Sequence, residues 1–132
     1  MLPIKAVLET SLYVRDLDRA VKFYRDVLGL RLVTEFDGKR GVAFRIGESI
    51  LLLFDPTQTA GPEGLPEHAG SGEGHVAFHV EANELPRWRE HLQRHGVAIE
   101  KEFSFGDNPP SIYFRDPDRN LLELAVAAIW PA

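Results

Sequence analysis

The stretch Ser111–Leu124, SIYFRDPDRNLLEL, decides how the rest of the chain is read. It holds two strand-like runs, Ser111–Arg115 and Asn120–Val126, joined by Asp116-Pro117-Asp118-Arg119. Proline presets φ and aspartate bonds the backbone beyond it, so Asp116 and Pro117 predict a turn, with Asp118 and Arg119 completing it. The second run is apolar on both alternating faces, through Leu121, Leu122, Leu124, Ala125 and Val126, yet Glu123 sits among them. A carboxylate in a strand covered on both faces is costly unless it is paired, protonated or bound to a cation. Glu123 is therefore the residue whose surroundings need an explanation.

Moving toward the N-terminus, Ser104–Pro110 is a loop and Val97–Phe103 a strand. Before them a helix starts at Asn83 or Glu84, carries Leu85, Trp88, Leu92 and His95 inward, and stops at Gly96. Gly74–Val80 (GHVAFHV) is a strand with His75, Ala77 and His79 on one face and Val76, Phe78 and Val80 on the other. Asp55–Gly74, rich in Gly, Pro and small polar residues, has no periodicity and reads as a linker that can close over a site.

The same order of elements occurs upstream. Leu8–Val14 is a strand, Asp16 or Asp18 caps a helix with Leu17, Ala20, Val21, Tyr24, Val27 and Leu28 at helical spacing, and Gly29 ends it. Leu30–Glu35, Gly41–Ile46 and Ile50–Phe54 are strands, with a hairpin turn at Asp37-Gly38 and a further turn at Gly47-Glu48. The chain is thus an internal repeat of strand, helix and three strands, and a period near half its length means that the two units pair. The expected architecture is α+β: two four-stranded mixed sheets curled around a shared cavity with the helices outside, one domain over residues 1–132, with module 1 about 5–55, a linker 56–73 and module 2 about 74–128.

Bulk properties bound the function. With 44% hydrophobic and 27% charged residues the chain can both fill and cover a core. The formal net charge of -5, with no basic block, argues against nucleic-acid or anionic-membrane partners, and the partner expected is a small-molecule substrate. No cysteine is present, so a metal can be held only by His, Asp or Glu. The N-terminus MLPIKAVLET has neither a long apolar run nor a charged leader, so a cytoplasmic location is expected.

Strand parity places Glu9, Ser11, Tyr13, Leu52, His75, Ala77, His79 and Glu123 on the faces opposite the helices. Glu9, His75 and Glu123 are good ligands for one divalent ion, with Fe, Mn, Ni, Zn, Co and Mg all compatible, and positions left open for a substrate. Glu9 and Glu123 are also the candidate catalytic groups. Tyr13, Arg45, Leu52 and His79 are candidates for substrate contact; exposure of Arg45 and Tyr13 to solvent is the plainer alternative.

These residues resemble the vicinal oxygen chelate superfamily, which groups glyoxalase I, bleomycin- and fosfomycin-resistance proteins, extradiol dioxygenases and methylmalonyl-CoA epimerase. The resemblance is carried by LETSLYVRDLDRAVKFYRDVLGL, GHVAFHV and YFRDPDRNLLEL, and it extends over nearly the whole chain. It implies tandem βαβββ modules, and metal ligands that fall on Glu9, His75 and Glu123. It also implies a homodimer in which modules can be exchanged between chains. A fourth ligand of glyoxalase I-like members is replaced here by Leu52, and the first-strand histidine of dioxygenases by Glu9. The resemblance thus implies a metal-dependent enzyme acting on a substrate with vicinal oxygens, with dioxygenase chemistry slightly favoured. The alternatives are a glyoxalase I-like lyase or isomerase and a non-catalytic small-molecule or drug-binding protein.

Overall fold

Short runs of leucine, β-branched and aromatic residues, separated by Gly and Asp turns, form the strands. The computed structural model describes residues 2–36, 39–58 and 73–131. In chain order these form β1 (Glu9–Tyr13), α1 (Leu17–Lys22), β2 (Arg31–Glu35), β3 (Gly41–Ile46), β4 (Ser49–Phe54), β5 (His75–His79), α2 (Leu85–Arg94), β6 (Ile99–Phe103), β7 (Ser111–Arg115) and β8 (Leu121–Ala125). The chain divides into two compact units, Met1–Gly72 and Glu73–Ala132. Each is a strand, a helix and three strands, and each builds a four-stranded mixed sheet, so the fold class is α+β in tandem βαβββ modules. The expected turn at Asp37-Gly38 and most of the expected linker lie outside the described residues.

In the first unit the strand order is β1-β4-β3-β2, with β1 parallel to β4 and the other pairs antiparallel. Asp16 caps α1, its carboxylate accepting a hydrogen bond from the Arg19 amide at 3.0 Å. Beyond Lys22 the helix widens into a π-helical turn, Phe23–Val27, which helical periodicity did not foretell. Gly29 then takes φ +70° and ends the element, as expected. Ala20, Tyr24 and Leu28 are buried on the helix face, and the Tyr24 and Phe44 rings lie 5.9 Å apart. A second apolar cluster joins Ala43, Leu52 and Phe54, with Tyr13, Phe36 and Ile50 packed against it. Gly41 is part of its construction: a Cβ there would lie 2.7 Å from both the Leu53 carbonyl oxygen and the Phe54 ring.

The second unit repeats the scheme as β5-β8-β7-β6, again with one parallel pair, β5 with β8. The helix starts earlier and more gradually than expected: Glu81 and Glu84 form a capping box around a 3₁₀ turn, Ala82–Glu84, and α2 follows from Leu85. Leu85 and Leu92 are buried and Trp88 is half-buried. His95, expected inward, is exposed; its Nδ1 lies 2.9 Å from the His91 carbonyl oxygen at the helix end, where a carbonyl needs a partner.

The Asp116 turn is the tightest polar construction in the unit. The Asp116 carboxylate accepts from the amides of Asp118 and Asn120 and from the Asn120 side chain, each at 2.9 Å. Asn120 in turn accepts from the Gly74 amide at 2.7 Å. Asp116 and Asn120 are buried, yet their polar atoms are occupied, and together they pin the start of β8 to the start of β5. That pin sets the parallel register on which the site depends: His75 opposite Leu121 and Ala77 opposite Glu123.

Candidate metal centre

Glu123 follows from this register. It lies in the middle of β8 between β5 and β7, flanked by Ala77 and Tyr113, and is 5% exposed. One carboxylate oxygen, Oε1, lies 3.4 Å from His75 Nε2. The other, Oε2, is buried and has no hydrogen-bond partner among the described residues. A buried carboxylate oxygen without a partner costs about 1–3 kcal/mol or more, so a donor or a cation at this oxygen stabilises the fold.

His75 is oriented by its other nitrogen. Nδ1 lies 2.9 Å from the Leu121 carbonyl oxygen, which can only accept, so Nδ1 carries the proton and donates. Nε2 then either bears a second proton, giving an imidazolium–carboxylate pair, or turns a lone pair toward Glu123. The second arrangement needs a proton on the carboxylate or a cation between the two groups. A backbone carbonyl that fixes the imidazole tautomer is also the usual support of a metal-ligating histidine. One imidazole nitrogen and a carboxylate with a spare oxygen are donors that fit a borderline or hard divalent ion.

Tyr113, which strand parity left unremarked, belongs to the same group. It stands directly opposite Glu123 across the β7–β8 pair. Burial, followed by the nearby Glu123 charge, pushes its phenol above the ordinary tyrosine range. The signal in the sequence was the alternation Ser111, Tyr113, Arg115, but the partner became visible only with the β7–β8 register.

The described residues bring two of the three predicted ligands together, and no cluster of three or more His, Asp or Glu side chains is gathered among them. Glu9 is the first residue of β1 in the first unit, exposed, in register with Ile50. Of the predicted substrate contacts, Leu52 is buried among Ala43 and Phe54, with Tyr13 half-buried against them. Arg45 is exposed. His79 is exposed, its Nε2 3.8 Å from Glu81 Oε1 beyond the end of β5. The two sheets can be compared strand by strand: Ser11 pairs Leu52 in the first as Ala77 pairs Glu123 in the second. Leu52 is thus the first-unit counterpart of Glu123, an apolar side chain where the second unit has a carboxylate.

Residues 6–124 match the model of the Glyoxalase/Bleomycin resistance protein/Dioxygenase superfamily, and the chain belongs to that family. Among solved structures, a lactoylglutathione lyase from Agrobacterium tumefaciens is 34% identical, with TM-score 0.89, over 99% of this chain and 100% of that one. A fosfomycin resistance protein, FosX, from Listeria monocytogenes, complexed with manganese(II), has the same fold, with TM-score 0.69 and 20% identity over 94% and 90% of the two chains. The catechol-2,3-dioxygenase of Bacillus subtilis is 30% identical over 86% of this chain and 39% of its own length. The chain spans between a third and a half of the first curated relatives it matches.

Proposed function

We propose that the protein is a metal-dependent enzyme that acts on a small substrate with vicinal oxygens. The observation that carries this reading is the buried Glu123 carboxylate, with one oxygen unpartnered and the other facing His75 Nε2. His75 and Glu123 are the ligands, and Glu9 is the third, since it opens β1 as His75 opens β5. One divalent ion would polarise a bound oxygen and lower the pKa of a coordinated water. His75 binds through Nε2, held in place by the Leu121 carbonyl, and the Tyr113 phenol faces the Glu123 carboxylate from β7. Elemental analysis tests this. We expect about one divalent ion per chain, lost in Glu123→Ala. Metal-free native protein that takes up none of the six candidate metals would sink the reading.

Dioxygenase chemistry is kept slightly ahead because Leu52 supplies no fourth ligand. A lyase or isomerase activity is the second reading, favoured by the likeness to the Agrobacterium lactoylglutathione lyase. Oxygen uptake on a panel of catechols separates the two from hemithioacetal isomerisation. A sequestering protein without catalysis is the remaining alternative, and ligand binding that survives loss of Glu9, His75 and Glu123 together would favour it. The same proposal includes a cytoplasmic homodimer, for which light scattering should give a particle of two chains.

A further inference from the structure

The first unit carries a second feature that the metal reading does not use. Arg31 on β2 and Arg45 on β3 are directly opposite in the antiparallel register, so their side chains leave the same face of the sheet. That is the face of Leu52 and Glu9, because Arg45 pairs Ile50, and Ile50 pairs Glu9. Like charges facing each other across two strands destabilise a sheet. Both arginines are exposed, and neither has a hydrogen bond or ion pair among the described residues.

The internal repeat supplies the contrast. Arg115 occupies in the second sheet the place that Arg45 holds in the first: it pairs Leu121, which pairs His75. Arg115 is fully engaged, with Glu100 at 3.1 and 3.2 Å, Glu73 at 3.2 Å and the Arg119 carbonyl at 2.9 Å. One copy of the position is neutralised by two carboxylates. The other is doubled by a second arginine. In a chain of net charge -5, with acidic side chains in excess, an uncompensated arginine pair marks a place for an anion.

We infer that Arg31 and Arg45 form an anion-binding subsite for a carboxylate, phosphate or phosphonate group. Two guanidinium forks can grip such an oxyanion by charge-assisted, bidentate hydrogen bonds, and occupancy removes the repulsion between them. Ile50 and Ala43 are the neighbours of Arg45 toward the sheet centre, so the rest of the ligand meets apolar surface before Glu9. That this anion belongs to the substrate rests on the function proposed above; the binding itself does not.

The test is a titration of the native protein with inorganic phosphate and, separately, with acetate at low ionic strength. Arginine Nε–Hε resonances and calorimetry are the readouts. Saturable binding with shifts confined to Arg31 and Arg45 is expected, weakened at least tenfold in Arg31→Gln, Arg45→Gln and Arg45→Lys. Arg25→Gln, whose native partner is Asp26 at 3.0 Å, should bind as the native protein does. Tighter phosphate than acetate assigns a phospho group, and the reverse a carboxylate. No saturable binding of either ion, or equal binding in Arg31→Gln, overturns the proposal. Metal content in Arg45→Gln should equal the native value, so the subsite and the metal centre fail or stand separately.

Discussion

Glu123 shows how one side chain can be a defect for folding and a device for binding. Its Oε2 is buried and unpartnered, so the metal-free protein carries its cost. In chelator, Glu123→Leu should therefore be more stable than the native chain by about 1–3 kcal/mol in urea denaturation. Adding a divalent ion should raise the melting temperature of the native protein and leave that of the variant unchanged. Tyr113→Phe removes the phenol that faces the carboxylate across the β7–β8 pair. Metal affinity should fall roughly 10-fold or more while stability in chelator changes by only about 1 kcal/mol. Equal metal affinity in native and Tyr113→Phe protein would show that the phenol does not position Glu123.

The elements owe their register to a few polar and glycine positions rather than to strand composition. Asn120 links the Asp116 turn to Gly74, so Asn120→Ala removes a donor to the buried Asp116 carboxylate and the acceptor of the part-buried Gly74 amide. A loss of about 2–4 kcal/mol is expected on chemical denaturation. Gly41→Ala should also destabilise, by roughly 1–3 kcal/mol, since its methyl meets the Leu53 carbonyl and the Phe54 ring at 2.7 Å. The Phe36–Phe54 stack, with rings 5.9 Å apart, would have to shift to admit it. Much of this level was legible in advance. The Asp-Pro-Asp turn, a cap at Asp16 or Asp18 (the structure uses Asp16) and the Gly29 and Gly96 stops are local signals, read from neighbours in sequence. The π-helical turn after Lys22 and the outward His95 were not, because tertiary packing and an unsatisfied helix-end carbonyl decided them.

At the scale of the molecule, duplicated modules have diverged in charge. The second unit spends its carboxylates on its arginines: Arg89 is bidentate to Glu102, and Arg115 meets Glu100 and Glu73. The Arg115 hydrogen bond holds the Glu100 carboxyl below the ordinary carboxylate range. A lowered folded pKa adds stability that is fully present above the unfolded value, about 4.3, and is lost as pH falls through the folded one. Stability of the native protein should thus drop in acid more steeply than that of Glu100→Gln, with the difference confined to pH below about 5. Denaturation midpoints measured from pH 3 to pH 7 check the sign.

By itself the sequence determined the order of elements, the repeat and the α+β class, because hydrophobic period and turn residues are local properties. It also singled out Glu123, since a charge in an apolar run is visible without a partner. Only the tertiary structure decided what meets that charge. The Leu121 carbonyl that orients His75, the phenol of Tyr113 and the opposition of Arg31 to Arg45 all follow from strand register. On β2 that register is altered by a bulge between Leu32 and Thr34, which moves later residues to the other face. Pairing between distant strands is set by the packed sheet as a whole, so no window of sequence contains it.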